Sequence, residues 1–176
     1  LNLPNLLALF RIALAPLMLW FFIDRDNSIF SSWHPSWLDY FAGLIFVIAS
    51  ITDFFDGFIA RSWNHMTKLG GILDPLADKM LVLAGFLGLM VINRASAWAV
   101  FLILSREFFI TGLRVVAVSE GKNVASTMAG KIKTVVQMIA IGFLIMNWPF
   151  ATELLWLAVI LTIYSGYEYT RDYFKN

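Results

Sequence analysis

The feature that most constrains this chain is a series of six apolar stretches, each about as long as a helix that crosses a bilayer. They lie at roughly 3 to 23, 37 to 62, 69 to 92, 96 to 119, 127 to 147 and 150 to 170 of the 176 residues. A membrane-spanning helix needs about 20 apolar residues, so six such helices nearly exhaust the sequence. We therefore predict an all-α integral membrane protein, a six-transmembrane-helix bundle forming a single domain over residues 1–176.

The composition agrees with a membrane protein. The chain is 60% hydrophobic and 14% charged, with a mean hydropathy of +0.75, which lies outside the range of ordinary soluble domains. It contains no cysteine, which excludes disulfides and thiol catalysis, and its net charge of +1 excludes a strongly basic nucleic-acid binder. No small-residue cleavage site follows the first stretch, so we expect a retained helix and not a signal peptide. Because the sequence does not begin with Met, we also expect further residues before Leu1.

The basic residues predict the orientation of the helices. If the N-terminus lies inside, the outer loops contain only Arg25 and Arg94. The residues that then fall near inner helix ends are Arg61, Lys68, Lys122, Arg171 and Lys175. Cytoplasmic ends carry the excess of Lys and Arg, so we expect both termini to be cytoplasmic.

Four aspartates interrupt the second and third apolar stretches: Asp53, Asp56, Asp74 and Asp78. A carboxylate at bilayer depth costs about 3 kcal/mol or more unless it faces protein, water or a cation. On helices, the first pair is spaced i, i+3 and the second i, i+4, so each pair shares one face. Because the two helices are consecutive and joined by a short inner loop around Asn64, we expect the four carboxylates to converge near the cytoplasmic boundary.

Converging carboxylates repel one another unless cations neutralise them. An oxygen-only ligand set favours Mg²⁺ or Mn²⁺ over zinc, and such ions take phosphate groups as further ligands. The small residues Gly57, Ala60 and Gly70 lie on the same helix faces, where they would let a ligand approach closely; helix packing is the ordinary alternative for each. The pattern predicts a divalent-metal site that acts on a phosphate compound.

The stretch reads D-x-x-D-G-x-x-A-R, then eight residues, then G-x-x-x-D-x-x-x-D. This pattern resembles the signature of the CDP-alcohol phosphotransferase family at every fixed position. The resemblance implies six helices, a cytoplasmic active site, and a reaction in which a hydroxyl attacks the β-phosphorus of a CDP-linked lipid while CMP leaves. It also implies two divalent cations, Mg²⁺ or Mn²⁺, and commonly a homodimer.

The resemblance also implies roles for individual residues. Asp53, Asp56 and Asp74 would be metal ligands, and Asp78 both a metal ligand and the general base. The residues implied around the CDP group are Asp53, Asp56, Gly57, Ala60, Arg61, Thr67 and Gly70.

A second group is cationic: Arg106 and Arg114 on one helix face, and Lys131 and Lys133 near the inner end of the next helix. A solvated inner rim for the lysines and snorkelling to lipid phosphates for the arginines are the plain alternatives. Arginine seldom occurs in mid-helix without a partner or a role, and its fork of donors suits phosphate. We therefore predict a pocket for the phosphate of a phosphorylated acceptor.

Three flanking segments, residues 2–11, 105–114 and 130–134, resemble those of bacterial family members that join CDP-diacylglycerol to sn-glycerol 3-phosphate. The resemblance implies these two substrates and a multi-pass protein of the bacterial cytoplasmic membrane. Asn5 and Arg11 fall in the first segment and are candidates for lining the site, although interfacial anchoring is an equally open role for Arg11.

Other readings remain open. A family sibling could use another acceptor, such as inositol phosphate, whereas serine would not require so many cations. A membrane prenyltransferase fits the sequence less well, because such enzymes need more helices than this chain length permits and lack the G-x-x-A-R continuation. An ion-coupled transporter would show broken helices, for which Pro75, with Gly70 and Gly71, is the only candidate; we interpret Pro75 as a local kink. We place His34 and His65 at the surface.

Overall fold

The computed structural model describes residues 2–62, 67–124 and 127–175, and these ranges contain six α-helices and one short 3-10 helix, Ser28–Phe30. The α-helices are Leu3–Ile23 (α1), Pro35–Ser62 (α2), Lys68–Val91 (α3), Ala97–Ser119 (α4), Met128–Met146 (α5) and Ala151–Lys175 (α6). The prediction of six helices is confirmed, with ends within a few residues of those expected except at the C-terminus, where α6 is longer. The predicted loop around Asn64, which includes His65, lies outside the described residues.

The chain divides into two compact units, Leu1–Asn93 and Arg94–Asn176. In the first unit, α1 packs against both α2 and α3. In the second unit, α6 packs against both α4 and α5. The single domain over residues 1–176 stays a prediction.

Three of the described helices are long and apolar enough to cross a membrane. They are α1, with a mean hydropathy of 2.2, residues Pro35–Ile59 of α2, with 1.8, and α5, with 1.5. The other three are more polar; α3 carries Asp74, Asp78 and Lys79, and α4 carries Arg106, Glu107 and Arg114. The chain is thus a membrane protein by its helices, and six spans stay a prediction.

Side-chain caps set the start of α1 and α3, as Thr127 does for α5. The side chain of Asn2 accepts a hydrogen bond from the backbone N–H of Asn5 at 3.1 Å, and so begins α1. Thr67 caps α3 in the same way, because its hydroxyl accepts from the N–H of Gly70 at 3.0 Å. Such caps satisfy backbone donors that a helix leaves free at its N-terminus. The Thr67 cap places Asp74 about two turns into α3.

Helix α3 runs without interruption from Lys68 to Val91, through Gly70, Gly71 and Pro75. Pro inside a helix removes one backbone hydrogen bond but need not end the helix. The broken helix that a transporter would require is therefore not present at the one place where the sequence suggested it.

The connection between α1 and α2 is held by aromatic rings and one ion pair. Neighbouring rings in this cluster have centroids 5.0 to 5.8 Å apart; its members are Trp20, Phe21, Phe30, Trp33 and Phe41. Beside them, Arg25 donates to Asp39 at 2.6 Å. Aromatic pairs at such distances add stability beyond the area they bury. This end of the unit is therefore stabilised independently of the four motif aspartates.

Helices α1 and α3 approach closely at Gly88. A Cβ atom on this residue would overlap the ring of Phe22, which is 1% exposed. Glycine therefore allows close packing of these two helices, and this packing brings a buried face of α1 against the helix that carries Asp74 and Asp78.

Candidate active site

The four predicted aspartates converge on one guanidinium group, that of Arg11 in α1. Its Nη1 donates to Asp53 Oδ1 and to Asp78 Oδ1, each at 2.6 Å. Its Nη2 donates to Asp56 Oδ2 at 2.6 Å and to Asp74 Oδ1 at 3.3 Å. The three helices of the first unit thus each contribute to one charged centre, which we call the acid cluster: Arg11, Asp53, Asp56, Asp74 and Asp78.

Arg11 belongs to the buried face of an otherwise apolar helix. Ala8, Ala15 and Met18 are buried on the same face, and Arg11 itself is 0% exposed. A buried guanidinium is stable only when it is paired and hydrogen-bonded, and the aspartates supply these bonds. Interfacial anchoring, which the sequence left open, does not describe a side chain that solvent or lipid cannot reach.

The aspartates differ in how open they are. Asp56 is 1% exposed, whereas the side chains of Asp53, Asp74 and Asp78 are 40%, 35% and 49% exposed. A ligand that approaches the cluster can therefore contact Asp53, Asp74 and Asp78 directly. Of these three, Asp78 has the largest exposed fraction of its side chain. Asp56 is buried and is not open to direct approach.

The donor chemistry of the cluster fits a divalent cation. Each carboxylate uses one oxygen for Arg11, so its second oxygen is not bonded to that residue. The second oxygen of Asp56 is buried and has no hydrogen-bond partner among the described residues. Carboxylate oxygens alone, without sulfur or imidazole, are the ligands that Mg²⁺ and Mn²⁺ prefer.

No three acidic, His or Cys side chains in the described part of the chain are arranged so that they could hold a metal ion by themselves. The guanidinium lies among the carboxylates and takes up an oxygen of each. The four aspartates that a cation site would need lie together, but each of them is hydrogen-bonded to Arg11.

The residues expected around a CDP group lie in the same unit. Thr67 accepts a hydrogen bond from Asn5 Nδ2 at 3.3 Å, and Asn5 is 3% exposed. A Cβ atom on Gly70 would lie 2.9 Å from Asn5 Oδ1, so this glycine lets the start of α1 approach α3. Helix packing thus accounts for Gly70 in the structure. Gly57 and Ala60 lie in α2 with Arg61, and the side chains of Ala60 and Arg61 are outside the described part.

In the second unit, two of the four predicted cations share one acid. Glu107 Oε1 accepts from Lys133 Nζ at 2.7 Å and lies 3.4 Å from Arg106 Nη1. Arg106 and Lys133 expose only 13% and 10% of their side chains. Glu107 thus neutralises part of the positive charge of Arg106 and Lys133.

Helix α6 holds Arg106 from the other side. Ser165 Oγ accepts from Arg106 Nη2 at 3.0 Å, and a Cβ on Gly166 would lie 3.0 Å from Arg106 Cγ. Arg106 Nε is buried without a hydrogen-bond partner among the described residues. Sequence reasoning missed Ser165 and Gly166, since a serine and a glycine in an apolar helix carry no signal of their own.

The other two cations are exposed and do not share Glu107. The guanidinium of Arg114 lies over the ring of Tyr169, 5.5 Å from its centroid, a favourable cation–π contact. Lys131 lies in the first turn of α5 and is exposed. Of the four predicted cations, only Arg106 and Lys133 are therefore largely buried.

The four acids lie together on two consecutive helices, as their spacing in the sequence predicted. The sequence profile of the CDP-alcohol phosphatidyltransferase family matches residues 1–164. The chain therefore belongs to this family.

The curated relatives point to one branch of it. A protein of Bacillus subtilis (strain 168) named CDP-diacylglycerol--glycerol-3-phosphate 3-phosphatidyltransferase is 41% identical, over 96% of this chain and 93% of its own length. A protein of Escherichia coli (strain K12) with the same name is 36% identical, over 96% of this chain and 92% of its own length. The similarity thus covers both units.

The shared carboxylate of Glu107 gives a first prediction. Replacing Glu107 with Gln removes the negative charge between two largely buried cations, which should lower stability by about 3 kcal/mol. Thermal unfolding in detergent would measure the loss. The matched control is Glu153→Gln, an exposed acid at the start of α6, which should cost only a few tenths of a kcal/mol. Equal effects of the two changes would contradict the pairing.

Proposed function

We propose that this protein is an enzyme of phospholipid biosynthesis that transfers the phosphatidyl group of CDP-diacylglycerol to sn-glycerol 3-phosphate, giving phosphatidylglycerophosphate and CMP. One observation carries the proposal: relatives named for this activity align with 96% of the chain. The geometry of the acid cluster supports it, because the four motif aspartates lie around one centre.

We propose that Asp53, Asp56, Asp74 and Asp78 hold two divalent cations, Mg²⁺ or Mn²⁺. When bound, such ions neutralise the negative charge that builds up on phosphate oxygens during transfer. The support is the oxygen-only donor set and the buried oxygen of Asp56 that has no hydrogen-bond partner in the described part of the chain. Asp56, being buried, acts only as a ligand in this scheme.

Asp78 is the proposed general base. It takes the proton from the attacking hydroxyl of the acceptor as that oxygen bonds to the β-phosphorus, and the bond from phosphorus to the CMP oxygen breaks. The support is its 49% exposed side chain, the most open of the four, because a base must reach the proton that it removes.

The remaining proposed contacts concern the two substrates. Gly57, Ala60, Arg61, Thr67 and Gly70 are proposed to lie around the CDP group, with Asn5 beside them through its bond to Thr67. Arg106, Arg114, Lys131 and Lys133 are proposed to bind the acceptor phosphate. Arginine forks and lysine ammonium groups both suit phosphate, and the side chains of Arg114 and Lys131 are exposed.

We further propose a multi-pass protein of the bacterial cytoplasmic membrane, with six spans, its active site on the cytoplasmic side, and a homodimer as its assembly. The basic residues near the inner helix ends support this orientation.

The experiment that tests the activity is CMP release by purified protein in detergent, with CDP-diacylglycerol and Mn²⁺ or Mg²⁺. We expect release with sn-glycerol 3-phosphate and not with inositol phosphate, serine or glycerol, and none in EDTA. Release with inositol phosphate instead would keep the family and overturn the acceptor. No release with any acceptor would contradict the proposed reaction.

Asp78→Asn tests the proposed base. The amide cannot accept a proton, so turnover should fall by about 10² to 10⁴, while binding of CDP-diacylglycerol survives in part. Asp26→Asn, an exposed residue outside the cluster, is the control and should leave turnover unchanged. Near-normal turnover in the Asp78 variant would refute the role of general base.

Arg114→Ala tests the proposed acceptor contact. Loss of one charge-assisted contact to phosphate should raise the KM for sn-glycerol 3-phosphate by about tenfold or more, with a smaller effect on kcat. Arg171→Ala, an exposed arginine of the same unit, is the control. An unchanged KM would remove Arg114 from the acceptor site.

A further inference from the structure

We propose that Arg11 is a built-in counter-ion of the acid cluster, which keeps the carboxylates together when no cation is bound and competes with divalent cations for them. The inference rests on the metal site proposed above. It assigns Arg11 a positioning role and not a catalytic one.

The first support for this role is the set of contacts that Arg11 makes. Its guanidinium donates to all four aspartates, three of them at 2.6 Å, and the side chain is 0% exposed. Bonds of this length between a guanidinium and carboxylates are charge-assisted and among the stronger hydrogen bonds in proteins. One side chain thus joins α1 to both acid-bearing helices.

The second support is the negative charge of the four aspartates. Four ionised carboxylates this close repel one another, with about 4 kcal/mol per pair at 4 Å and the screening typical of a protein surface. When all four carboxylates are ionised, Arg11 reduces the charge of the group from −4 to −3, and each acid gains an attractive partner. Without Arg11, the cation-free cluster would lose this attraction.

The third support is the set of carboxylate oxygens to which Arg11 donates. Arg11 occupies one oxygen of each of the four aspartates. Arg11 and a divalent cation therefore draw on the same carboxylates. Two ligands that compete in this way lower each other's affinity by the same factor.

The test compares Arg11→Met with the wild type by thermal unfolding in detergent, in EDTA and in excess Mn²⁺, and by Mn²⁺ titration followed by electron paramagnetic resonance. We expect Arg11→Met to unfold at a lower temperature in EDTA and to regain most of the loss in Mn²⁺. We also expect it to bind Mn²⁺ about tenfold more tightly, a coupling of ordinary size.

Arg25→Met is the matched control, because Arg25 pairs with Asp39 in the same unit but outside the cluster. Its loss of stability should be equal in EDTA and in Mn²⁺, and its Mn²⁺ affinity should equal that of the wild type. An Arg11→Met protein that behaves like this control, or that binds Mn²⁺ less tightly than the wild type, would overturn the proposal.

Arg11→Lys covers the case in which the Met variant does not fold. A lysine ammonium is a point charge without the fork of a guanidinium, so it should hold fewer of the four acids and shift both readouts in the same directions by less. A lysine variant identical to the wild type in both would overturn the proposal. Failure of the metal site itself has another signature, a wild-type protein that Mn²⁺ neither binds nor stabilises.

Discussion

The guanidinium of Arg11, shared among four carboxylates, is the interaction on which the first unit depends. It lies on a buried face of α1, and its bonds reach two residues of α2 and two of α3. An unpaired arginine at that depth would cost several kcal/mol, and so would four unneutralised acids. The aspartates therefore make the burial of Arg11 possible, and Arg11 reduces the repulsion among the aspartates. The close approach of α1 and α3 at Gly88 and Phe22 completes the arrangement, because it brings the arginine within reach of Asp74 and Asp78.

The second unit has the reverse arrangement, with cations gathered on an acid. Glu107 lies between Arg106 and Lys133, while Ser165 and Gly166 of α6 position Arg106. In both units a buried charge has a protein partner of opposite sign, and further charged groups remain open to solvent. In the first unit these are Asp53, Asp74 and Asp78; in the second they are Arg114 and Lys131. Such an arrangement keeps a charged site folded without its ligand and leaves groups for the ligand to bind, as the proposed transfer between two phosphate compounds requires.

The helices and the convergence of the acids could be predicted from sequence, because both follow from local spacing. Asp53 and Asp56, and likewise Asp74 and Asp78, share a face by helical periodicity, and consecutive helices bring the faces together. The central place of Arg11 could not be predicted, since an arginine in an apolar helix looks the same in sequence whether it anchors at the interface or is buried. The roles of Ser165 and Gly166 depend on which helix packs beside Arg106, and no local pattern encodes that contact.

The central claim is that the acid cluster is a divalent-metal site. The most direct measurement is anomalous scattering from crystals of the protein grown with Mn²⁺ and CDP. The account predicts two manganese peaks in contact with Asp53, Asp56, Asp74 and Asp78. A map with no manganese at these four residues, and with Arg11 still bonded to all of them, would contradict it.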